Sequence, residues 1–183
     1  HMLRNGGEHR DPAYRATHPQ ALIPAMEDGD LHLVQSIAIC EYLEEKYPEP
    51  ALMPSDLGAR AHVRAVMSAI ACEIHPLNNL RVLGYVTKTL GHSEEDKLAW
   101  YRHWIADGFA GVERLLTQSG RVGAFCCGDK PTLADAFLVP QVYNARRFEC
   151  PLDTFPTIAR INDACVALPQ FQAARPEAQG DAA

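Results

Sequence analysis

The stretch ALIPAMEDGDLHLVQSIAICEYL, Ala21 to Leu43, decides how this 183-residue chain is read. Its "EDGD" sits between two apolar runs, and glycine after aspartate supplies the positive φ that a two-residue hairpin turn needs. The pattern predicts strands over Ala21–Met26 and Leu31–Val34. Pro24 has no N–H for a ladder, so its strand lies at an edge or turns sharply there. From Ser36 to about Tyr47 the apolar spacing becomes helical. A Gln-Ser pair therefore stands where a strand passes into a helix. Ser36 can cap that helix with its hydroxyl. Alternatively, the free N–H groups, the positive end of the dipole and the hydroxyl can hold a small carboxylate, with Gln35 adding an amide and Ile23 offering edge backbone to a short peptide. On the residues alone capping is the commoner role.

Moving outward, "YPEPALMPSD" is a proline-rich break. It predicts two domains, residues 1–53 and 54–183. Beyond it the chain reads as helical. Val63, Val66, Met67, Ile70, Ala71 and Ile74 recur at the spacing of one buried helix face, which Pro76 kinks. Leu98, Tyr101, Ile105, Val112, Leu115 and Leu116 mark a second long helix, stopped by Gly120. Thr132 and Asp135 have the spacing of a capping box and open a third; "TFPTIARINDACVAL" is a fourth. Residues 1–20 read as polar and irregular, with a helix near "RDPAYRA", and the tail after Phe171 as loose. The fold class is mainly α: a partial strand-strand-helix piece followed by an all-α domain. Two strands and a helix bury too little to stand alone, so the small piece leans on the helical domain or continues into residues upstream.

Composition narrows the function. Hydrophobic residues make up 47% and charged residues 22%, and the formal charge is -6 without a Lys/Arg-rich run, which argues against nucleic acid and anionic membranes as partners. No apolar run approaches the ~20 residues of a membrane helix. Six cysteines, none in a C-x-x-C and several among apolar residues in helical patterns, read as buried thiols of a reducing cytoplasm. The histidines show no metal-ligand spacing.

Two further stretches hold polar groups of interest. In "EIHPLNNLRVL", His75 and Asn79 are four apart and share a face if the helix is regular, while Arg81 lies elsewhere around it. In "NARRFEC", Arg146 and Arg147 close a helix; they either complement its C-terminus or aim a guanidinium at a carboxylate. Neither reading wins on these residues alone.

"HPQALIPAM", "QSIAICEYLEEKYPEPALMP", "IACEIHPLNNLRVL" and "GDKPTLADAFLVPQVYNARRF" together resemble a zeta-class glutathione transferase, the family that includes maleylacetoacetate and maleylpyruvate isomerases. The resemblance implies a partial thioredoxin-like glutathione domain, a glutathione cofactor and a homodimer in the cytoplasm. It makes Ile23 the backbone partner of the glutathione cysteine, with Pro24 cis. It assigns Gln35 and Ser36 to the γ-glutamyl carboxylate, tipping the opening choice. It brings His75, Asn79 and, more weakly, Gln20 to glutathione, and gives Arg81 and Arg147 to substrate carboxylates. The implied reaction is cis-trans isomerisation: a glutathione thiolate adds to the maleyl double bond, the new single bond rotates, and elimination gives the fumaryl product. Family members begin with a strand and a serine- or cysteine-bearing helix that faces the glutathione sulfur. No counterpart precedes "LRNGGEHRDPAYRATHPQ" in this sequence, which implies feeble catalysis for the sequence as it stands. The alternatives are a non-catalytic helical dimerisation or ligand-binding module and a general glutathione-conjugating transferase.

Overall fold

The computed structural model describes residues 7–180. Its backbone divides into two units, meeting between Pro50 and Ala51.

The first unit holds a 3-10 turn Glu8–Arg10 and a short helix α1 (Pro12–Thr17), then strands β1 (Ala25–Asp28) and β2 (Leu31–Val34) and helix α2 (Ser36–Lys46). The strands form an antiparallel hairpin with Ala25 opposite Val34 and Asp28 opposite Leu31. Gly29 carries φ 60 in the two-residue turn, a conformation costly for any residue with a Cβ. The predicted first strand starts too early and stops too soon. Ala21 has φ 51, out of the extended region, and Pro24 brings no N–H, so pairing begins at Ala25. The Ile23–Pro24 peptide bond is cis. Asp28 at the hairpin end accepts from the Tyr42 hydroxyl at 2.8 Å and pairs with Lys46, fastening both turns of α2's last half to the sheet.

The second unit is built on α3 (Leu57–Ser68), α5 (Glu94–Gln118), α6 (Leu133–Arg147) and α7 (Pro156–Val166), with short helices α4 (Leu80–Gly84) and α8 (Pro169–Ala173). Val63, Val66, Met67, Ile70 and Ile74 from the first of these stretches, Ile105, Phe109, Val112 and Leu116 from α5, Leu138 and Val142 from α6, and Ile158 and Ile161 from α7 are buried together as its core. Leu115, expected in the apolar stripe of α5, is 36% exposed. A helix of 25 residues at 3.6 per turn rotates its stripe, and Phe109, not foreseen, joins the expected Ile105, Val112 and Leu116 on the buried line.

Three polar joints hold the helices. Asp135 is fully buried, and its carboxylate accepts from the Thr132 N–H (2.7 Å) and hydroxyl (2.9 Å), the Cys126 N–H (2.9 Å) and the Cys165 thiol (3.8 Å). A buried carboxylate is tolerable only when its lone pairs are satisfied in this way. Glu113 of α5 accepts from the N–H groups of Thr157 and Ile158, so its charge caps the start of α7. Ser93 and Asp96 form a capping box at the start of α5.

The single kinked helix expected through Pro76 is replaced by a graded unwinding. After α3, Ala69–Ile74 is wound as a π-helix, the His75 N–H reaching back to Ile70. His75–Asn78 is a 3-10 turn, and α4 follows. The tail is not loose as far as Gly180: Pro176–Ala178 forms a 3-10 turn, and the Gln179 side chain donates to the carbonyls of Ala173 (2.8 Å) and Arg175 (3.0 Å).

All six cysteines are free. Cys72 is exposed, against the expectation of burial, because the π-wound turn that carries it faces solvent at Cys72 and Glu73. No helix among the described residues is long and apolar enough to cross a membrane.

Candidate active site

Within the first unit, Gln35 and Ser36 stand at the start of α2, Gln20 meets Gln35 through its side chain, and Ile23 lies two residues before β1. Ser36 is the first residue of the helix rather than its cap. The capping position belongs to Gln35, and no side chain caps the helix. The Gln35 carbonyl accepts from the Ile39 N–H at 3.0 Å, which leaves the N–H groups of Ser36, Ile37 and Ala38 without helical acceptors. Gln35 has φ 73, a left-handed conformation that costs a residue with a Cβ roughly 1 kcal/mol or more. This conformation carries the chain from β2 into α2 and leaves the first N–H groups of the helix unpaired, a place that suits a carboxylate. The Gln35 side-chain NH₂ donates to Oε1 of Gln20 at 2.8 Å, so the two glutamines sit side by side. Ile23 is 51% exposed and lies just outside the β1 ladder, with backbone groups open to an extended peptide.

Within the second unit, His75, Asn79 and Arg81 lie on the unwound segment. The expected shared helix face of His75 and Asn79 does not exist. His75 begins the 3-10 turn, and Asn79 is extended with ψ 148, the capping residue of α4. Its Oδ1 accepts from the Arg81 N–H at 3.0 Å, which leaves its NH₂ free to donate outward. Crowding by surrounding protein holds the His75 imidazole below its ordinary range, so the ring is neutral at neutral pH. Trp100 of α5 donates its indole N–H to the Leu77 carbonyl at 2.8 Å and pins the turn.

The two arginines that end α6 differ. Arg146 pairs with Asp163 at 3.2 Å, which is the role of a structural cation. Arg147 pairs with no carboxylate among the described residues; its guanidinium lies 5.9 Å from the centre of the Phe148 ring, which in turn stacks on Tyr101 at 3.9 Å. Arg81 is likewise exposed and without a carboxylate partner among the described residues. Trp100 and Tyr143 join the residues expected from the sequence. Tyr143 precedes Arg147 by one helical turn, and that i, i+4 spacing is the signal that was available.

The fold has counterparts among known proteins. The glutathione S-transferase N-terminal domain family matches residues 2–51. The maleylacetoacetate isomerase of Pseudomonas aeruginosa is 47% identical over 182 residues, covering 98% of this chain and 83% of the relative. A maleylpyruvate isomerase structure, described as a bacterial zeta-class glutathione transferase, superposes with a TM-score of 0.91 at 46% identity, covering 96% of this chain and 82% of the other. The maleylacetoacetate isomerase of Anaeromyxobacter dehalogenans with bound glutathione superposes with a TM-score of 0.83 at 42% identity, covering 93% and 81%. The chain is therefore a member of the glutathione transferase superfamily. Within it, the chain belongs to the zeta class, the family of the maleylacetoacetate and maleylpyruvate isomerases.

Proposed function

We propose that this protein carries out the glutathione-dependent cis-trans isomerisation of a maleyl dicarboxylate, maleylacetoacetate or maleylpyruvate. The observation that carries the reading is 47% identity to a maleylacetoacetate isomerase across 98% of the chain. The residues present fit glutathione. The strained Gln35 and the uncapped start of α2 suit its γ-glutamyl carboxylate, with Ser36 donating and Gln20 holding the Gln35 amide. Ile23 offers main-chain pairing to the tripeptide.

Bound glutathione supplies a thiol whose reversible addition across the maleyl double bond permits rotation about it. The chain's own part is charge and position. Arg81 and Arg147 hold the substrate's two carboxylates and meet the negative charge that develops on the carbonyl oxygen. Fixing a dianion between two guanidiniums lowers the entropic part of the barrier. We also propose a homodimer in the cytoplasm. Leu57 on α3 is 82% exposed, an apolar side chain that a second copy would cover, and the free thiols suit a reducing compartment.

The test is conversion of maleylpyruvate and maleylacetoacetate by the purified chain, with and without glutathione. Glutathione-dependent loss of the cis isomer, reduced at least ~100-fold in Arg147→Ala, supports the reading. Glutathione binding by calorimetry without isomerisation overturns it in favour of conjugation or binding alone.

A further inference from the structure

One hydrogen-bonded pair with no role in the proposed reaction lies one helical turn from Arg147. Tyr143 is 41% exposed on α6, one turn before Arg147, on the same side of the helix. Its hydroxyl donates to Oε1 of Glu177 at 2.7 Å, across 34 positions of sequence. Glu177 sits in the 3-10 turn Pro176–Ala178, and that turn is braced on both sides. The Ala178 N–H donates to the Arg175 carbonyl at 3.0 Å, and the Gln179 side chain holds the carbonyls of Ala173 and Arg175. The tail thus delivers one carboxylate to one phenol.

We propose that Tyr143 and Arg147 form a carboxylate-recognition pair, that Glu177 occupies only its Tyr143 end, and that a substrate carboxylate displaces Glu177 from the Tyr143 hydroxyl. This rests on the reading of Arg147 as a substrate anchor. The chemistry is consistent on each side. A phenol donor beside a guanidinium without a carboxylate partner among the described residues is a suitable receptor for a carboxylate. The Tyr143 hydroxyl and the Arg175 charge hold the Glu177 carboxyl below its usual range, so it is anionic at neutral pH. The i, i+4 spacing puts Arg147 on the same side of α6 as the phenol, and its charge opposes the rise in the Tyr143 pKa that Glu177 causes. Because Glu177 is tethered, it competes at a fixed effective concentration. The site is open to ligand only in the fraction of molecules whose tail has let go, and apparent affinity falls by that fraction. Tyr143 is then a specificity-determining residue that favours a second carboxylate, and the tail is a gate that a monoanion opens less readily.

The two ends of the hydrogen bond make opposite predictions. Binding of malonate, a small dicarboxylate, is measured by calorimetry on the full chain saturated with glutathione. Tyr143→Phe weakens malonate by roughly three- to tenfold, since a donor is lost from the site. Glu177→Gln tightens it by roughly two- to fivefold, since the competitor is neutralised. Amide exchange of residues 174–179 rises on adding malonate to the wild type, because the tail is released. If both variants shift malonate binding in the same direction, or neither shifts it, the bond is only a structural clasp and the proposal fails. Arg147→Ala separates this from the parent reading. Loss of malonate binding there, with Tyr143→Phe and Glu177→Gln silent, sinks the gate alone; no effect of Arg147→Ala sinks the anchor and the gate together.

Discussion

Gln35 donates its side-chain NH₂ to Oε1 of Gln20 at 2.8 Å, which ties the strained residue ahead of α2 to the turn ahead of the cis proline. The bond consumes one of the two Gln35 amide donors and orients the other, so Gln20 acts on a ligand through Gln35. Gln20→Ala is expected to weaken glutathione by about threefold, and Gln35→Ala by more, in calorimetric titrations.

Ser36 gives a sharper separation. A serine that caps a helix costs about 1 kcal/mol when replaced by alanine. Ser36 makes no capping bond. Ser36→Ala should therefore leave the chemical denaturation midpoint nearly unchanged while weakening glutathione by about tenfold, the loss of one charge-assisted hydrogen bond. A drop in stability with unchanged affinity would return the residue to a structural role.

Asp135 gathers four donors from three parts of the second unit. Asparagine in its place presents an NH₂ to groups that already donate and removes the charge. Asp135→Asn should lower unfolding free energy by about 3 kcal/mol or more, measured in urea. Thr132→Ala should cost less, about 1–2 kcal/mol, because one of the four bonds is lost with its donor.

The His75 imidazole titrates below its ordinary value of 6.5. Between the folded value and 6.5 the unfolded chain binds more protons than the folded one. Stability on this account is fully present above pH 6.5 and falls as pH drops through that window. Ring-proton titration by NMR should place the His75 midpoint below 6.5. His75→Gln should flatten the acid-side slope of stability against pH over the same interval.

Thiol chemistry follows exposure. Burial and the neighbouring Asp135 push the Cys165 thiol up to about 12 and the Cys126 thiol higher still, whereas Cys72 is open to solvent. A brief exposure to iodoacetamide at neutral pH should label Cys72 first and leave Cys126 and Cys165 unmodified, by peptide mass spectrometry.

What the sequence made legible was local. The Asp28-Gly29 step announced the hairpin, the spacing of Val63, Val66, Met67, Ile70 and Ile74 announced the buried face, and Thr132 with Asp135 announced a helix start. What it withheld was set by distant partners. Gln20 meets Gln35 across 15 positions and Tyr143 meets Glu177 across 34, and neither pairing leaves a periodic trace. The winding of Ala69–Ile74 has no composition signal either. It depends on how that turn packs against α5, where a Cβ at Gly108 would stand 2.4 Å from Ile74. Gly108→Ala is accordingly expected to cost about 2 kcal/mol or more by overpacking, measured by denaturant unfolding.

The π-wound turn has a consequence for insertions and deletions. A π turn accommodates one residue more than the α turn it replaces, so it sets the angular phase of everything after it. Removing one residue between Ala69 and Ile74 would let that turn close as ordinary helix with the phase of the following segment kept, whereas removing one residue from α3 itself would swing that segment by about 100°. In the second case His75, Asn79 and Arg81 would all survive in the sequence and would all point elsewhere. The length of α3 is thus part of the site's specification, and the π-wound turn is where a one-residue change can be absorbed.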